Sequence, residues 1–233
     1  MTGASSGIGL AIAELLAAEG YGLTLAARRE PKLREAAAGL RESGHAVELV
    51  AADLGEEADV QRVVAVHRER FGRLDVLVNN AGVGFGAPLA QITTKRLDLQ
   101  LELNVRAVVL MHRECVELLR AAGSEHRGAL IVNTSSIAGK RGQPVLSVYS
   151  ATKAAVLGWT QSMHAELIAD GIKSTALCPA YVATAMTDHV ADTISKDEMI
   201  QTQDIVEGVR LLLRLSPACV VPEIQFLRVG GEI

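Results

Sequence analysis

Short apolar runs rich in β-branched residues recur along the chain at 22–27, 46–52, 74–79, 129–134, 172–178 and 224–229. Their length and composition are those of strands buried on both faces. Between them, stretches 8–19, 32–42, 56–71, 94–122, 149–170 and 203–215 place apolar residues three and four apart, the period of a helix with one buried face. This alternation predicts an α/β fold, a Rossmann-like doubly wound parallel sheet with helices on both faces, formed as a single domain over 1–233. No Pro- or Ser-rich linker divides it. In such a sheet the ligand sits at the carboxyl ends of the strands, where Asp53, Asn79, Ser136 and the Pro179 loop are expected. The start breaks the pattern. A glycine turn in this architecture follows a strand, yet only Met1 stands before Thr2, so a further strand of about five to eight apolar residues is expected to be encoded upstream.

Composition narrows the partners. With 49% hydrophobic and 21% charged residues over 233, no run reaches the roughly 20 apolar residues of a membrane-spanning helix. A net charge of -4 and no long basic block argue against nucleic acid, leaving small molecules as the expected ligands. Cys115, Cys178 and Cys219 fit neither a disulfide framework nor zinc-site spacing, which suits a reducing cytoplasm. His112, His126 and His164 show no metal-ligand spacing, so no metal is expected.

Two motifs carry chemistry. Thr2-Gly3-Ala4-Ser5-Ser6-Gly7-Ile8-Gly9 precedes an apolar helical run, so its backbone can turn tightly and present N–H groups and the positive helix end to a pyrophosphate. Its GxxxGxG spacing differs from the GxGxxG of the best-known dinucleotide fingerprint, with the same mechanics. Downstream, Tyr149 and Lys153 lie four apart and share one helix face. Such a pair can pass a proton to a carbonyl oxygen as hydride reaches the carbon. Working near pH 7 would require lowering the tyrosine pKa by an amount worth about 4 kcal/mol, which the Lys153 ammonium and the positive nicotinamide of an oxidised cofactor could supply together. Ser136, at the end of a predicted strand, can hydrogen-bond the same substrate oxygen.

Taken with Asn79-Asn80-Ala81-Gly82, Asn104 in a long helix and Pro179 after an apolar strand, these motifs resemble the short-chain dehydrogenase/reductase family in its single-domain form, over essentially the whole chain. The resemblance implies a catalytic set of Asn104, Ser136, Tyr149 and Lys153. In it Tyr149 is the acid/base, Ser136 holds the substrate oxygen, Lys153 binds the nicotinamide ribose and lowers the tyrosine pKa, and Asn104 supports a relay water. It implies cofactor contacts from Gly3, Ser5, Ser6, Gly7, Ile8 and Gly9, from Asp53 and Leu54 at the adenine, and from Asn80, Ala81 and Gly82 beside the central sheet. Tyr149, Lys153, Pro179, Val182 and Thr184 complete the cofactor set, and a homodimer or homotetramer is expected. Ala180 departs from the glycine usual after that proline, a change that matters only if the backbone there needs a positive φ. Tyr181, Met186, His189 and Met199 are candidate walls of the substrate pocket.

The residues after the first predicted strand address the cofactor directly. An NAD-specific site places a carboxylate where this chain has Ala27, followed by Arg28 and Arg29. A guanidinium can grip a 2′-phosphate, so NADP(H) is expected to be preferred over NAD(H), with a small-molecule carbonyl or alcohol as substrate. An NAD-linked alcohol or sugar dehydrogenase, or a non-catalytic dinucleotide-sensing regulator on the same fold, are the alternatives.

Overall fold

The computed structural model describes residues 1–126 and 128–230. In these, β1 (Leu23–Ala27) pairs with β2 (Val47–Ala51), and β3 (Val76–Asn79), β4 (Ala129–Thr134), β5 (Ile172–Pro179) and β6 (Glu223–Phe226) follow one another across the sheet, every pair parallel. Thr2 joins the two blocks, bridging to Ala26 on one side and Asn79 on the other. Strand order therefore reverses at Thr2, which makes its carboxyl side the switch point where a ligand crevice opens. On the other side of that bridge Met1 lines a cleft of about 210 Å³ with Leu16, Leu23, Leu77, Met111 and Cys115.

Helices cover both faces, as the alternation requires. On one, α1 (Gly7–Ala18) and α8 (Thr202–Arg214) pack together through Ile12, Leu16, Ile205 and Val209. On the other, α4 (Glu57–Phe71) and α6 (Ala107–His126) bury Val60, Val64, Leu110 and Leu119, with α7 (Ser147–Leu167) adding Leu167 beneath β5. Each fully buried aliphatic side chain contributes about 1.5–3 kcal/mol to holding these layers on the sheet.

Three elements depart from the sequence pattern. The helix expected over 32–42 is α2 (Glu30–Ala36) and α3 (Ala38–Glu42), interrupted at Ala37 just before Gly39, a poor helix former. The helix expected over 94–122 is α5 (Thr94–Leu101) and α6, joined by a widened π turn at Glu102–Arg106 that carries Asn104. β6 stops at Phe226, and Val229 beyond it is exposed.

Candidate active site

The glycine loop leaves Thr2 and turns into α1 at the carboxyl edge of the sheet. Gly3 has φ +65°, and a Cβ on it would lie 2.8 Å from the Ala81 backbone. Gly9 is still tighter: a Cβ there would sit 2.2 Å from Gly3 O. The first turn of α1 holds no carboxylate, and the Ser6 side chain makes no capping bond, so the leading N–H groups of the helix face the cleft unclaimed. This geometry fits a dinucleotide pyrophosphate, which needs a backbone that can be approached closely and donors that no side chain already satisfies. Gly3, Ser5, Ser6, Gly7 and Ile8 line a cleft of about 260 Å³, while Gly9 lies behind that lining, packed against Gly3 and Asn80.

Hydroxyls and carboxamides lock the strand ends together below this cleft. Thr2 Oγ1 accepts from the Asn80 and Ala81 N–H groups at 3.1 and 3.2 Å, and Asn80 Nδ2 donates to Gly3 O. Thr134 Oγ1 donates to Asn80 Oδ1 at 3.1 Å, and Asn79 Nδ2 donates to Asn133 Oδ1, its registered partner on β4, at 2.9 Å. Ser135 Oγ then donates to Lys153 O, tying β4 to α7. Thr2, Asn133, Thr134 and Ser135 were not singled out from sequence. Their partners lie 18 to 79 residues away, and only their crowding at strand ends could have hinted at a shared task.

Ser136, Tyr149 and Lys153 meet on the far wall of the same cleft. Ser136 caps a short turn, accepting from Ala138 N and donating to Pro179 O at 3.3 Å. Lys153 is 5% exposed, and its Nζ donates to Thr134 O at 2.8 Å and lies 5.7 Å from the Tyr149 ring centroid. Burial pulls the Lys153 ammonium down to about 8. Burial pushes Tyr149 above its ordinary value, with Ser136 acting in the opposite direction. The expected depression of the Tyr149 pKa by Lys153 is therefore not made by the chain alone, because the ammonium is drawn to a strand carbonyl and desolvation dominates. Asn104 lies behind this pair, its Oδ1 accepting from Val83 N and its Nδ2 donating to Val83 O and Thr152 Oγ1, at 2.8, 2.8 and 3.0 Å.

The remaining residues distribute around the cleft. Asn80, Ala81, Gly82, Pro179, Val182 and Thr184 line it; Ala180 does so too, with no positive φ to make glycine necessary. Lys153 is the one charged side chain among the described lining residues, which suits an anionic ligand. Arg28 and Arg29 are exposed outside it, directly after β1, whose Ala26 O accepts from Ala4 N of the glycine loop. Glu30, the first carboxylate after the strand, is turned away to Arg34. Asp53 closes a turn onto Gly55 N, and Leu54 is buried beside it. Of the expected pocket walls, Met186 lines the cleft, Tyr181 and His189 are exposed, and Met199 belongs to the buried interior, because the 181–200 segment folds back on itself through Ala183 N and Ile200 N.

Residues 1–195 match the family model described as short chain dehydrogenase. The chain belongs to the short chain dehydrogenase family. A putative ketoacyl reductase of the monensin polyketide synthase from Streptomyces virginiae is 40% identical over 192 residues, 82% of this chain and 72% of that protein. Among solved structures, an alcohol dehydrogenase from the archaeon Thermococcus sibiricus, complexed with 5-hydroxy-NADP, superposes with a TM-score of 0.90 at 29% identity, covering 100% of this chain and 97% of the other. A point variant of the actinorhodin polyketide ketoreductase with NADPH gives 0.86 at 32% identity, covering 97% and 93%. This short chain dehydrogenase is accordingly an oxidoreductase acting on CH–OH and C=O groups. Among its described residues no helix is long and apolar enough to cross a membrane.

Proposed function

We propose that this dehydrogenase reduces a small-molecule carbonyl with NADPH, binding and chemistry sharing one domain. The observation that carries the proposal is the single cleft in which the glycine loop faces Ser136, Tyr149 and Lys153. When bound, the cofactor supplies the hydride. Tyr149, kept protonated by its burial, gives its proton to the carbonyl oxygen as charge builds there, and the Ser136 hydroxyl donates to the same atom. Lys153 holds the nicotinamide ribose, with Pro179, Val182 and Thr184 at the nicotinamide side and Asp53 and Leu54 at the adenine. Because its carboxamide is committed to Val83 and Thr152, Asn104 is left its backbone to support a relay water. Arg28, leaving β1 beside the glycine loop with no competing carboxylate, grips the 2′-phosphate, and Arg29 adds to that positive edge.

Turnover with a panel of ketones, aldehydes and β-ketoacyl thioesters, followed by reduced-nicotinamide absorbance, tests the reading. Tyr149→Phe keeps the ring and removes the donor, so NADPH should still bind while kcat falls by roughly 10²- to 10⁴-fold. A Phe variant with most of its kcat would remove Tyr149 from the role. We further propose a homodimer or homotetramer joined through α6 and α7, checked by light scattering. The free, exposed thiol of Cys219 supports a reducing cytoplasm.

A further inference from the structure

Gln100 and Asn104 stand one turn apart in the helix that runs from α5 through the π turn into α6, and they are 2% and 1% exposed. A buried carboxamide is unfavourable unless its donors and acceptor find partners. Gln100 Oε1 accepts from Phe85 N at 3.1 Å, and its Nε2 donates to Arg96 O at 3.3 Å. Asn104 takes both backbone groups of Val83. The two spacings match: four helical residues rise about 6 Å, and two residues of extended chain advance about 6.6 Å. Successive carboxamides on the helix thus meet alternate residues of the 83–85 segment, supplying the bonds that a neighbouring strand would otherwise provide.

Gly84, between the two rungs, lies directly against the acid/base tyrosine. A Cβ on Gly84 would sit 3.3 Å from Tyr149 Cδ2 and Cε2. Beyond Phe85 the segment is fastened once more, where Ala87 N donates to Val145 O at 2.7 Å. Val145 sits at φ +58°, a left-handed conformation that a β-branched residue adopts only under constraint. The wall beside Tyr149 is therefore held at Val83, at Phe85 and at Ala87, and Gln100 makes the middle fastening.

We propose that Gln100 is a positioning residue for the carbonyl substrate, holding the 83–86 wall against Tyr149 through the Phe85 N–H; the role rests on the reductase reading above. Gln100→Met keeps the length of the side chain and removes both the acceptor for Phe85 N and the donor to Arg96 O. Losing the bond to Phe85 N is expected to raise KM for the carbonyl about tenfold, while kcat and the NADPH KM stay within about twofold. As a neutral carboxylic acid Gln100→Glu keeps an acceptor for Phe85 N and a donor for Arg96 O, so at low pH it should restore most of the wild-type KM. Hydrogen exchange reads the same bond without turnover: the Phe85 amide should be protected in the wild type and in Gln100→Glu, and should exchange faster in Gln100→Met. An unprotected Phe85 amide in the wild type overturns the ladder, as does a Met variant with wild-type KM or a Glu variant as impaired as Met at low pH. A wild-type chain that turns over no carbonyl overturns the reductase reading and the positioning role with it, while exchange at Phe85 still decides whether the ladder itself exists.

Discussion

Replacing Gly9 with alanine pits two well-defined effects against each other. In α1 the change gains helix propensity, worth up to about 1 kcal/mol. Against it stands the new Cβ, placed 2.2 Å from Gly3 O and 2.7 Å from Asn80 Nδ2. Ordinary contact would require the glycine loop or α1 to move by about 1 Å, and overpacking of this kind costs about 1–3 kcal/mol. The same movement strains the Asn80 bond to Gly3 O, already 3.3 Å long, at a further cost of about 1 kcal/mol. The steric effect wins. Gly9→Ala should lose about 2 kcal/mol net, a fall in Tm of about 4–8 °C for a chain of this size, and weaken NADPH binding at least tenfold because the new methyl would push Gly3 out of the cradle. Gly39→Ala is the control: its helix is exposed there, nothing lies within 4 Å of the new methyl, and Tm should rise by about 1–4 °C. Calorimetry and NADPH titration of both variants decide the matter. A Gly9→Ala protein as stable as the wild type and binding NADPH equally well would refute the close packing of loop on helix.

Three further outcomes follow from the charges. Arg28→Ala should raise the NADPH KM about tenfold or more and leave the NADH KM nearly unchanged, as steady-state kinetics with both cofactors would reveal; equal wild-type efficiency with the two would sink the role of Arg28. His112 is buried against Asn133, edge-on to Trp159 at 5.7 Å between ring centroids, and burial lowers its pKa to about 4. Its unfolded form takes up a proton near pH 6.5, so the neutral ring favours folding fully above that value, and up to about 3 kcal/mol is lost as pH falls towards 4; His112→Gln should flatten that part of a Tm-against-pH curve, and an unchanged slope would count against it. For carbonyl reduction, kcat/KM should decline above about pH 8, where buried Lys153 gives up its proton, whereas a limb near pH 7 would mean that Tyr149 titrates first.

Much of the candidate site was legible because its chemistry lies in short spacings. The glycine loop occupies seven consecutive positions from Gly3 to Gly9, and Tyr149 and Lys153 lie one turn apart, so local geometry alone brings the members of each motif together. The strands were legible for a similar reason: a strand buried on both faces must be apolar throughout, and β4 begins and ends where its run does. What stayed hidden depends on tertiary partners. Nothing near Gln100 or Thr2 in the sequence announces a bond to Phe85 or Asn80, and Met199 reads as a pocket wall until the segment around it folds back into the interior. The π turn at Asn104 was equally invisible, since one extra residue in a turn scarcely disturbs an apolar period.

The protonation states of the site follow from burial acting on two groups of opposite charge type. Desolvation disfavours whichever form is charged, so the same environment raises the tyrosine and lowers the lysine. Below about pH 8 the chain therefore presents a neutral phenol with its proton in place and an ammonium held by Thr134 O, both within one cleft that no carboxylate among the described residues lines. A phenol is the form needed to give a proton to a carbonyl oxygen, whereas taking one from an alcohol needs the phenolate, which this burial opposes. Lysine could lower the tyrosine pKa only as a charge facing the phenolate, and Thr134 O competes for that charge from the strand end. The chain's own electrostatics thus keep the Tyr149 proton in place near neutral pH, the form that carbonyl reduction requires.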